Sequence, residues 1–368
     1  MYLWPEKHDA KRIVRFVVNA DDLGYATERD EGILEAASNG LVSSASVLAN
    51  GQSANNALKK WAKMFECISP PYGLGLHLNL TEGPPISDPV KISSLLIEKE
   101  DEGEEHTNGR LTFRGKFGFE KAVGDGKIDM KDVETELRAQ LEWFRKNIGC
   151  YPDHVDGHNH AHVLPGGVCE VVSRLCARFG IQWVRLPLEK DISRSSSAFL
   201  QRVVQNAKRA KKIFHSFGVQ TSDFFFGLEL MGKNMTEAGL EKVFRSVATI
   251  VNHDKTNKKI EGNIFSNDDN SSSRVFTAEL MCHPGYPSRS GDGFSKSNER
   301  LHELKCLTSK KLLQQVAAMK KVKLCTYRRP AMSLSLQHIS NTAVNDDSDG
   351  KALVLGSVEK QLAGVRMK

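Results

Sequence analysis

The sequence predicts an α/β fold in a single domain, either a parallel sheet or a (β/α) barrel, and three observations support this prediction. Short apolar, β-branched segments alternate with amphipathic segments of helical period along most of the chain. The length of 368 residues suffices for one barrel with extensions. Ionisable residues come directly after several predicted strands, which is where the active sites of such barrels collect.

The predicted elements alternate in order from the amino terminus. Apolar runs predict strands, which cover 13–19, 42–49, 73–80, 154–158, 182–186, 278–282 and 321–326. Helical periodicity predicts helices, which cover 29–39, 53–65, 131–147, 166–179, 197–213, 236–251 and 309–320. We expect the acidic interval 98–105 to be a solvent loop.

The predicted domain organisation has one barrel and three peripheral segments. The barrel covers 12–328, after an amino-terminal extension over 1–11. Residues 252–274 are rich in Asn, Asp, Ser and Lys, which predicts a disordered surface insertion. Residues 329–368 lose hydrophobic periodicity, and we expect a flexible tail.

Composition excludes several classes of protein. The 51 basic and 45 acidic residues are too balanced to predict nucleic-acid binding. No stretch of about 18 apolar residues predicts a membrane span, and the charged amino terminus does not resemble a secretory peptide. The seven cysteines form no Cys-x-x-Cys pair, which argues against a thiolate zinc site. We therefore expect a soluble intracellular protein, in the cytoplasm.

The first predicted strand is followed by two adjacent carboxylates, Asp21 and Asp22. Taken alone, such a pair is more simply explained as a cap for the next helix. If both carboxylates are buried, like charges are costly unless a cation compensates them. A divalent metal would take one as ligand and leave the other free as a base.

Histidines form the second chemical signal. His158, His160 and His162 have period two, so an extended segment would point all three to one face. His77 lies near the end of the third predicted strand, and His283 follows the strand over 278–282. A solvent loop or a hydrogen-bonded core network is the alternative for the cluster, and a structural histidine is the alternative for His77.

One carboxylate and two imidazoles would leave coordination positions open for water and substrate. This ligand set suits Zn²⁺, Mg²⁺, Mn²⁺, Co²⁺ or Fe²⁺ and does not choose among them. Of these metals we expect Mg²⁺ first. An open metal site acidifies bound water and polarises a carbonyl or phosphoryl oxygen. With a carboxylate base and a histidine acid, the parts needed for hydrolysis are present.

Four motifs in order resemble the YdjC-like carbohydrate deacetylases. They are NADDLG at 19–24, GLHLN at 75–79, DGHNHAH at 156–162 and ELMCHPG at 279–285. The resemblance extends from about Arg12 to Thr326. It implies a distorted (β/α) TIM-like barrel that removes acetyl groups from N-acetylated sugars, including chito-oligosaccharides. The partner would be an acetylated sugar or oligosaccharide.

The resemblance also implies roles for individual residues. Asp21 would be the proton acceptor, and His283 a general acid. The metal ligands would be Asp22, His77 and His158. This chain departs from the family pattern at Asn159, where some bacterial members have histidine, and at Leu23, which replaces a common phenylalanine.

Further residues have weaker assignments. Asp156, His160 and His162 are expected to support the ligands, and Arg185 either orients Asp21 or forms a structural ion pair. Tyr286 is a candidate for stacking on a sugar ring. Phe224, Phe225 and Phe226 are candidates too, although core packing explains them better.

Two other functions use the same residue types. A non-haem iron oxygenase also binds metal through two histidines and a carboxylate, but the βα alternation argues against it. A non-catalytic sugar-binding protein on the same fold is the second alternative, and the complete set of acid, base and ligands argues against it.

Overall fold

Eight parallel strands form the main sheet of the computed structural model. They are β1 (Ile13–Leu23), β2 (Ser44–Val47), β3 (Leu74–Leu78), β6 (His154–Gly157), β7 (Trp183–Val184), β8 (Phe224–Phe226), β9 (Val275–Cys282) and β10 (Val322–Leu324). A separate antiparallel hairpin contains β4 (Leu96–Lys99) and β5 (Arg110–Phe113). The structure describes residues 13–65, 73–99, 110–190, 192, 196–253, 275–289 and 292–328.

Ten α-helices accompany the strands in the described part of the chain. They are α1 (Thr27–Asn39), α2 (Ala54–Met64), α3 (Lys116–Gly124), α4 (Met130–Ile148), α5 (Val168–Arg178), α6 (Ala198–Ser216), α7 (Glu237–His253), α8 (Gly293–Lys296), α9 (Glu299–Leu307) and α10 (Lys310–Ala317). Three 3₁₀ segments cover Pro89–Leu95, His158–Val163 and Gly232–Asn234. None of the helices in the described ranges is long and apolar enough to cross a membrane.

The strand order curls the sheet into a distorted barrel. Hydrogen-bonded neighbours run β7-β6-β3-β2-β1-β9-β8, and β10 pairs with the first half of β1. Isolated parallel bridges, Trp183 with Gln220 and Glu189 with Phe225, join the β7 and β8 sides. The prediction of a distorted (β/α) barrel is confirmed.

The side chains of β1 point alternately towards the surrounding helices and towards the barrel interior. Phe16 is fully buried and packs on Phe244 of α7, with ring centroids 4.5 Å apart. Asn19 lies on the other face, where its amide donates hydrogen bonds to Ser46 (3.1 Å) and Asp156 (3.2 Å) across the barrel interior. Asp21 has the same parity as Asn19, so its side chain also belongs to the interior.

Two local predictions are wrong. Strand β1 continues to Leu23, so Asp21 and Asp22 lie within its end rather than after it, because pairing with β9 and β2 extends to this point. The segment from His158 is not extended but forms a 3₁₀ turn, in which Asn159 and His160 have φ of +54° and +56°. The three histidines therefore do not share one face of a strand.

The remaining differences concern elements with weak sequence signals. Glu98 belongs to β4 rather than to a solvent loop, because β4 pairs with β5. Periodicity does not predict helices α3 and α9. The extension over 1–11, residues 254–274 of the insertion and the tail over 329–368 lie outside the described residues.

Helix α1 holds the segment that follows β9 at very short range. A Cβ atom on Gly32 would lie 2.4 Å from the Cα of Gly285. The backbone N–H of Tyr286 donates to the carbonyl of Glu28 (3.1 Å). A glycine is therefore needed at position 32 for α1 to pack against this segment, which begins at His283.

We expect Gly32→Ala to lower the free energy of unfolding by about 1–3 kcal/mol, because the added methyl group overpacks the contact with Gly285. Urea denaturation measures this change. Gly124→Ala in α3 is the control, since a methyl group added there would meet nothing within 4 Å and alanine favours helix. Equal stability of the two variants would contradict the prediction.

Candidate functional site

Ionisable side chains from four strands meet at the carboxyl end of the barrel. β1 contributes Asp21 and Asp22, β3 contributes His77, the end of β6 contributes Asp156 and the turn after it His158, and the segment after β9 contributes His283. All are buried or nearly so. Parallel strands end at the same edge of a sheet, so residues distant in sequence become neighbours here.

Three of these side chains form a cluster that could hold a divalent metal. Oδ1 of Asp22 lies 3.0 Å from Nδ1 of His158 and 3.3 Å from Nε2 of His77. One ligand atom from each residue lies within 4.8 Å of the other two. A second group, Asp21, His77 and Asp156, also meets this distance, but Arg185 already binds both of its carboxylates.

Asp156 fixes the orientation of the His77 ring. The Nδ1 atom of His77 lies 2.7 Å from Oδ1 of Asp156, and Ser46 donates to the other oxygen (2.8 Å). With its proton on Nδ1, His77 presents the lone pair of Nε2 towards Asp22. Metal-binding histidines characteristically donate their second nitrogen to a carboxylate in this way, so the residues present fit a metal.

Glu82 is a site residue that the sequence analysis missed. Its Oε2 lies 3.4 Å from Nε2 of His158, and its Oε1 accepts a hydrogen bond from Asn159 (3.0 Å). Glu82 thus contacts His158 much as Asp156 contacts His77. It lies four residues after β3, so a search of the loops at all strand ends for carboxylates would have found it.

The electrostatics of the cluster favour positive charge. Burial disfavours charged histidine, but the carboxylates of Asp156 and Asp21 outweigh it and raise the pKa of His77 to about 10. Burial is likewise outweighed at His158, where Asp22 and Glu82 raise the pKa to about 9. A divalent cation would supply the positive charge that these carboxylates otherwise draw from protons.

Asp22 is held in an unfavourable backbone conformation. Its φ of +66° lies in the left-handed region, which non-glycine residues rarely adopt. Arg29, fully buried, donates from Nη1 to Oδ2 (3.1 Å). Burial would raise the pKa of Asp22, but hydrogen bonds from His158 and His77 and the charge of Arg29 hold it well below its usual range. Such strain is typical of functional sites.

Arg185 fixes the orientation of Asp21. Its Nη1 and Nη2 atoms donate to the two oxygens of Asp21 at 2.5 and 2.6 Å. Nη2 also lies 2.8 Å from Asp156, and Nε donates to Glu279 (2.5 Å). Burial opposes the charge, but these three carboxylates raise the pKa of Arg185 well above its ordinary value. Arg185 therefore orients Asp21 and forms a structural ion pair at once.

His283 faces Asp21 from the other side. Its Nε2 lies 3.9 Å from Oδ2 of Asp21, and its backbone N–H donates to Glu303 (2.6 Å). The ring of Phe294 packs edge-on against the His283 ring, with ring centroids 5.2 Å apart. Burial lowers the pKa of His283 and so favours the neutral imidazole.

The other predicted site residues lie around this centre. His162 bonds through Nε2 to the carbonyl of Arg185 (3.0 Å), which supports the segment that carries the guanidinium. His160 points into a neighbouring cleft. Tyr286 donates to Glu35 of α1 (2.5 Å), and Phe224 and Phe225 are buried in the core.

Comparison with solved structures agrees with this architecture. A crystal structure from Enterococcus faecalis V583, provisionally named a cellobiose-phosphate cleavage protein, superimposes with a TM-score of 0.61. It is 22% identical in sequence and covers 86% of this chain and 98% of its own. At this identity the match establishes the fold alone.

Sequence comparison identifies the family. A human protein named carbohydrate deacetylase is 37% identical over 83% of this chain and 87% of its own length. One from Geobacillus stearothermophilus with the same name is 32% identical over 85% of this chain and 96% of its own. The family model of the YdjC-like proteins matches residues 15–318. The resemblance inferred from the four motifs is confirmed, and the chain belongs to the YdjC-like protein family.

Proposed function

We propose that this protein is a metal-dependent hydrolase that removes acetyl groups from N-acetylated carbohydrates such as chito-oligosaccharides. The observation that carries the proposal is the Asp22, His77 and His158 cluster beside Asp21 and His283. Relatives named carbohydrate deacetylase support it, as does a shorter match to a Yersinia pestis protein named chitooligosaccharide deacetylase.

Asp22, His77 and His158 would hold the metal. When bound, a divalent metal acidifies water and polarises the acetamide carbonyl. The two imidazole nitrogens suit Zn²⁺ or Co²⁺, whereas Mg²⁺ prefers oxygen ligands. Mg²⁺ remains the first expectation from the sequence, and both kinds of metal belong in any screen.

Asp21 serves as the base in this proposal. Arg185 holds both of its oxygens, so the carboxylate cannot rotate away from the reacting water. The same guanidinium also contacts Asp156 and Glu279, so Asp21 is held by a partner that is itself fixed from two further strands. Positioning by a fixed partner of this kind contributes to catalysis by keeping reactants in a productive geometry.

His283 serves as the acid that protonates the departing amine. Because burial favours its neutral form, it must gain a proton during the reaction, and Asp21 is the neighbouring source at 3.9 Å. The backbone bond to Glu303 and the ring of Phe294 fix its position.

The parallel barrel also disfavours an iron oxygenase, whose two-histidine, one-carboxylate sites commonly lie on jelly rolls.

Acetate release tests the function directly. We expect the purified full chain to release acetate from N-acetylglucosamine or its β-1,4-linked oligomers when Mg²⁺, Zn²⁺, Mn²⁺ or Co²⁺ is supplied, and to stop when a chelator removes the metal. Oxygen consumption with Fe²⁺ is the control reaction. Sugar binding without acetate release under every metal would instead support the non-catalytic alternative.

Metal occupancy tests the choice of ligands. We expect His158→Ala to lose most of its bound metal, because a three-residue site loses one ligand, whereas His160→Ala keeps it. Elemental analysis of the purified variants measures the content. The assignment within the cluster is wrong if His160→Ala loses metal and His158→Ala retains it.

Leaving-group rescue separates the two proton carriers. Asp21→Asn and His283→Ala should each bind metal but turn over about 10²–10⁴-fold more slowly, the usual contribution of an acid or base. An activated aryl acetate ester needs little protonation of its leaving group. It should restore the rate of His283→Ala substantially and that of Asp21→Asn hardly at all.

Bound metal in both variants is the control for this comparison. Equal rescue of both variants, or of neither, would contradict the division of roles between Asp21 and His283 without affecting the metal ligands.

A further inference from the structure

The imidazole ring of His158 lies between two carboxylates. Its Nδ1 atom is 3.0 Å from Oδ1 of Asp22, and its Nε2 atom is 3.4 Å from Oε2 of Glu82. A histidine that binds a metal through one ring nitrogen keeps the other for a hydrogen bond. The surroundings of the ring therefore decide which nitrogen of His158 is the ligand.

The other candidate ligand atoms lie on the Nδ1 side of this ring. Oδ1 of Asp22, next to Nδ1 of His158, is also 3.3 Å from Nε2 of His77. Nδ1 of His77 is occupied by Asp156 at 2.7 Å, so His77 can offer only Nε2 to a metal. The three ligand atoms thus surround one space, to which His158 contributes Nδ1. Its Nε2 atom is left to Glu82.

Hydrogen bonds hold both the backbone and the side chain of Glu82. Its backbone N–H donates to Oδ1 of Asn79 (3.0 Å). Its backbone carbonyl accepts from Nδ2 of Asn79 (2.9 Å) and from Nδ2 of Asn50 (3.0 Å). Oε1 accepts from Nδ2 of Asn159 (3.0 Å). These bonds keep Oε2 next to the His158 ring, although 34% of the Glu82 side chain is exposed to solvent.

The left-handed backbone of Asn159 makes part of this arrangement possible. Its φ of +54° lies in a region that asparagine adopts more readily than most residues. The chain turns directly after His158, and the amide of Asn159 reaches both Glu82 and Oγ1 of Thr81 (3.0 Å). His158 and Asn159 are neighbours in sequence and contact the two oxygens of the same carboxylate.

We infer that Glu82 is a positioning residue for the metal site. It accepts a hydrogen bond from Nε2 of His158 and so leaves the lone pair of Nδ1 to the ion. A carboxylate in this place fixes the tautomer and orientation of a ligating imidazole and raises the basicity of its ligating nitrogen. Asp156 has the same relation to His77, so each imidazole of the site has a carboxylate of its own. The inference rests on the proposed function and deepens it, because it names a further residue and the ligating nitrogen of His158.

Zinc affinity of the purified full chain, measured without sugar by competition with a chromophoric chelator, tests the inference. We expect Glu82→Leu to raise the Kd for Zn²⁺ about 10–100-fold, the usual effect of losing such a partner. The circular dichroism spectrum of the metal-free variant should match that of the wild type. Glu142→Leu is the matched control, since this carboxylate is comparably exposed (40%) but pairs with Arg145 of its own helix.

Glu82→Gln separates a positioning role from direct ligation. Glutamine keeps one carbonyl oxygen that can accept from Nε2 of His158, so its loss of zinc affinity should be smaller than that of Glu82→Leu. Equal losses in the two variants would show that Glu82 acts as a ligand or through its charge alone, and would overturn the positioning role.

Nitrogen NMR of the histidine rings in the zinc-loaded wild type shows which nitrogen carries a proton. We expect the proton of His158 on Nε2 and zinc on Nδ1. Zinc on Nε2 of His158, an unchanged zinc affinity in Glu82→Leu, or a wild type that binds no zinc would overturn the inference.

Failure of the proposed function is distinguishable, because zinc binding needs no sugar. Zinc affinity that depends on Glu82, without acetate release from any N-acetylated sugar, would keep the positioning role and remove the deacetylase. Acetate release by a wild type whose zinc affinity does not depend on Glu82 would keep the deacetylase and remove the positioning role.

Discussion

The buried guanidinium of Arg185 is the interaction on which the barrel end depends. It contacts carboxylates from three different strands, Asp21 of β1, Asp156 of β6 and Glu279 of β9. Without it these like charges would repel each other in a medium of low dielectric constant. Breaking a buried ion pair by removing one partner typically costs about 3–5 kcal/mol. Arg185 therefore connects the stability of the barrel to the position of Asp21.

Carboxylates still outnumber guanidiniums at this end of the barrel. Among the residues that the structure describes, the guanidinium groups in ion pairs with Asp21, Asp22, Asp156 and Glu279 are those of Arg185 and of Arg29, which binds Asp22. The carboxylates in excess lie next to His77 and His158 and raise the pKa values of both imidazoles. The same excess explains why a cation would bind here, since it compensates charge that the protein itself leaves uncompensated.

Three residues at the site have backbone conformations that are unfavourable for their residue types. Asp22, Asn159 and His160 are the non-glycine residues with positive φ in the described ranges, and all three lie at the candidate metal site or next to it. Each such conformation costs about 1–3 kcal/mol and persists only where surrounding contacts impose it. Here the contacts are those of Asp22 with Arg29 and of Asn159 with Glu82.

The sequence by itself determined the fold class and most of the residues that could do chemistry. Alternating strand and helix periods predicted a parallel sheet or barrel, because side-chain periodicity follows directly from backbone geometry, and the family resemblance selected the distorted barrel. Residue types at strand ends selected Asp21, Asp22, His77 and His283, because parallel strands bring their carboxyl ends together in any such barrel. The resemblance to a known family then divided roles between the two aspartates.

Only the tertiary structure decided the arrangement within the cluster. Local sequence suggested that His158, His160 and His162 share one face, but the turn after β6 sends His158 to Asp22, His160 to the cleft and His162 to the backbone of Arg185. The position of Glu82 four residues after β3 marks it as a strand-end carboxylate, but nothing local pairs it with His158 or Asn159. Its role depends on contacts between residues about 80 positions apart, such as Glu82 with Asn159 (3.0 Å), and barrel closure rather than local periodicity makes those contacts.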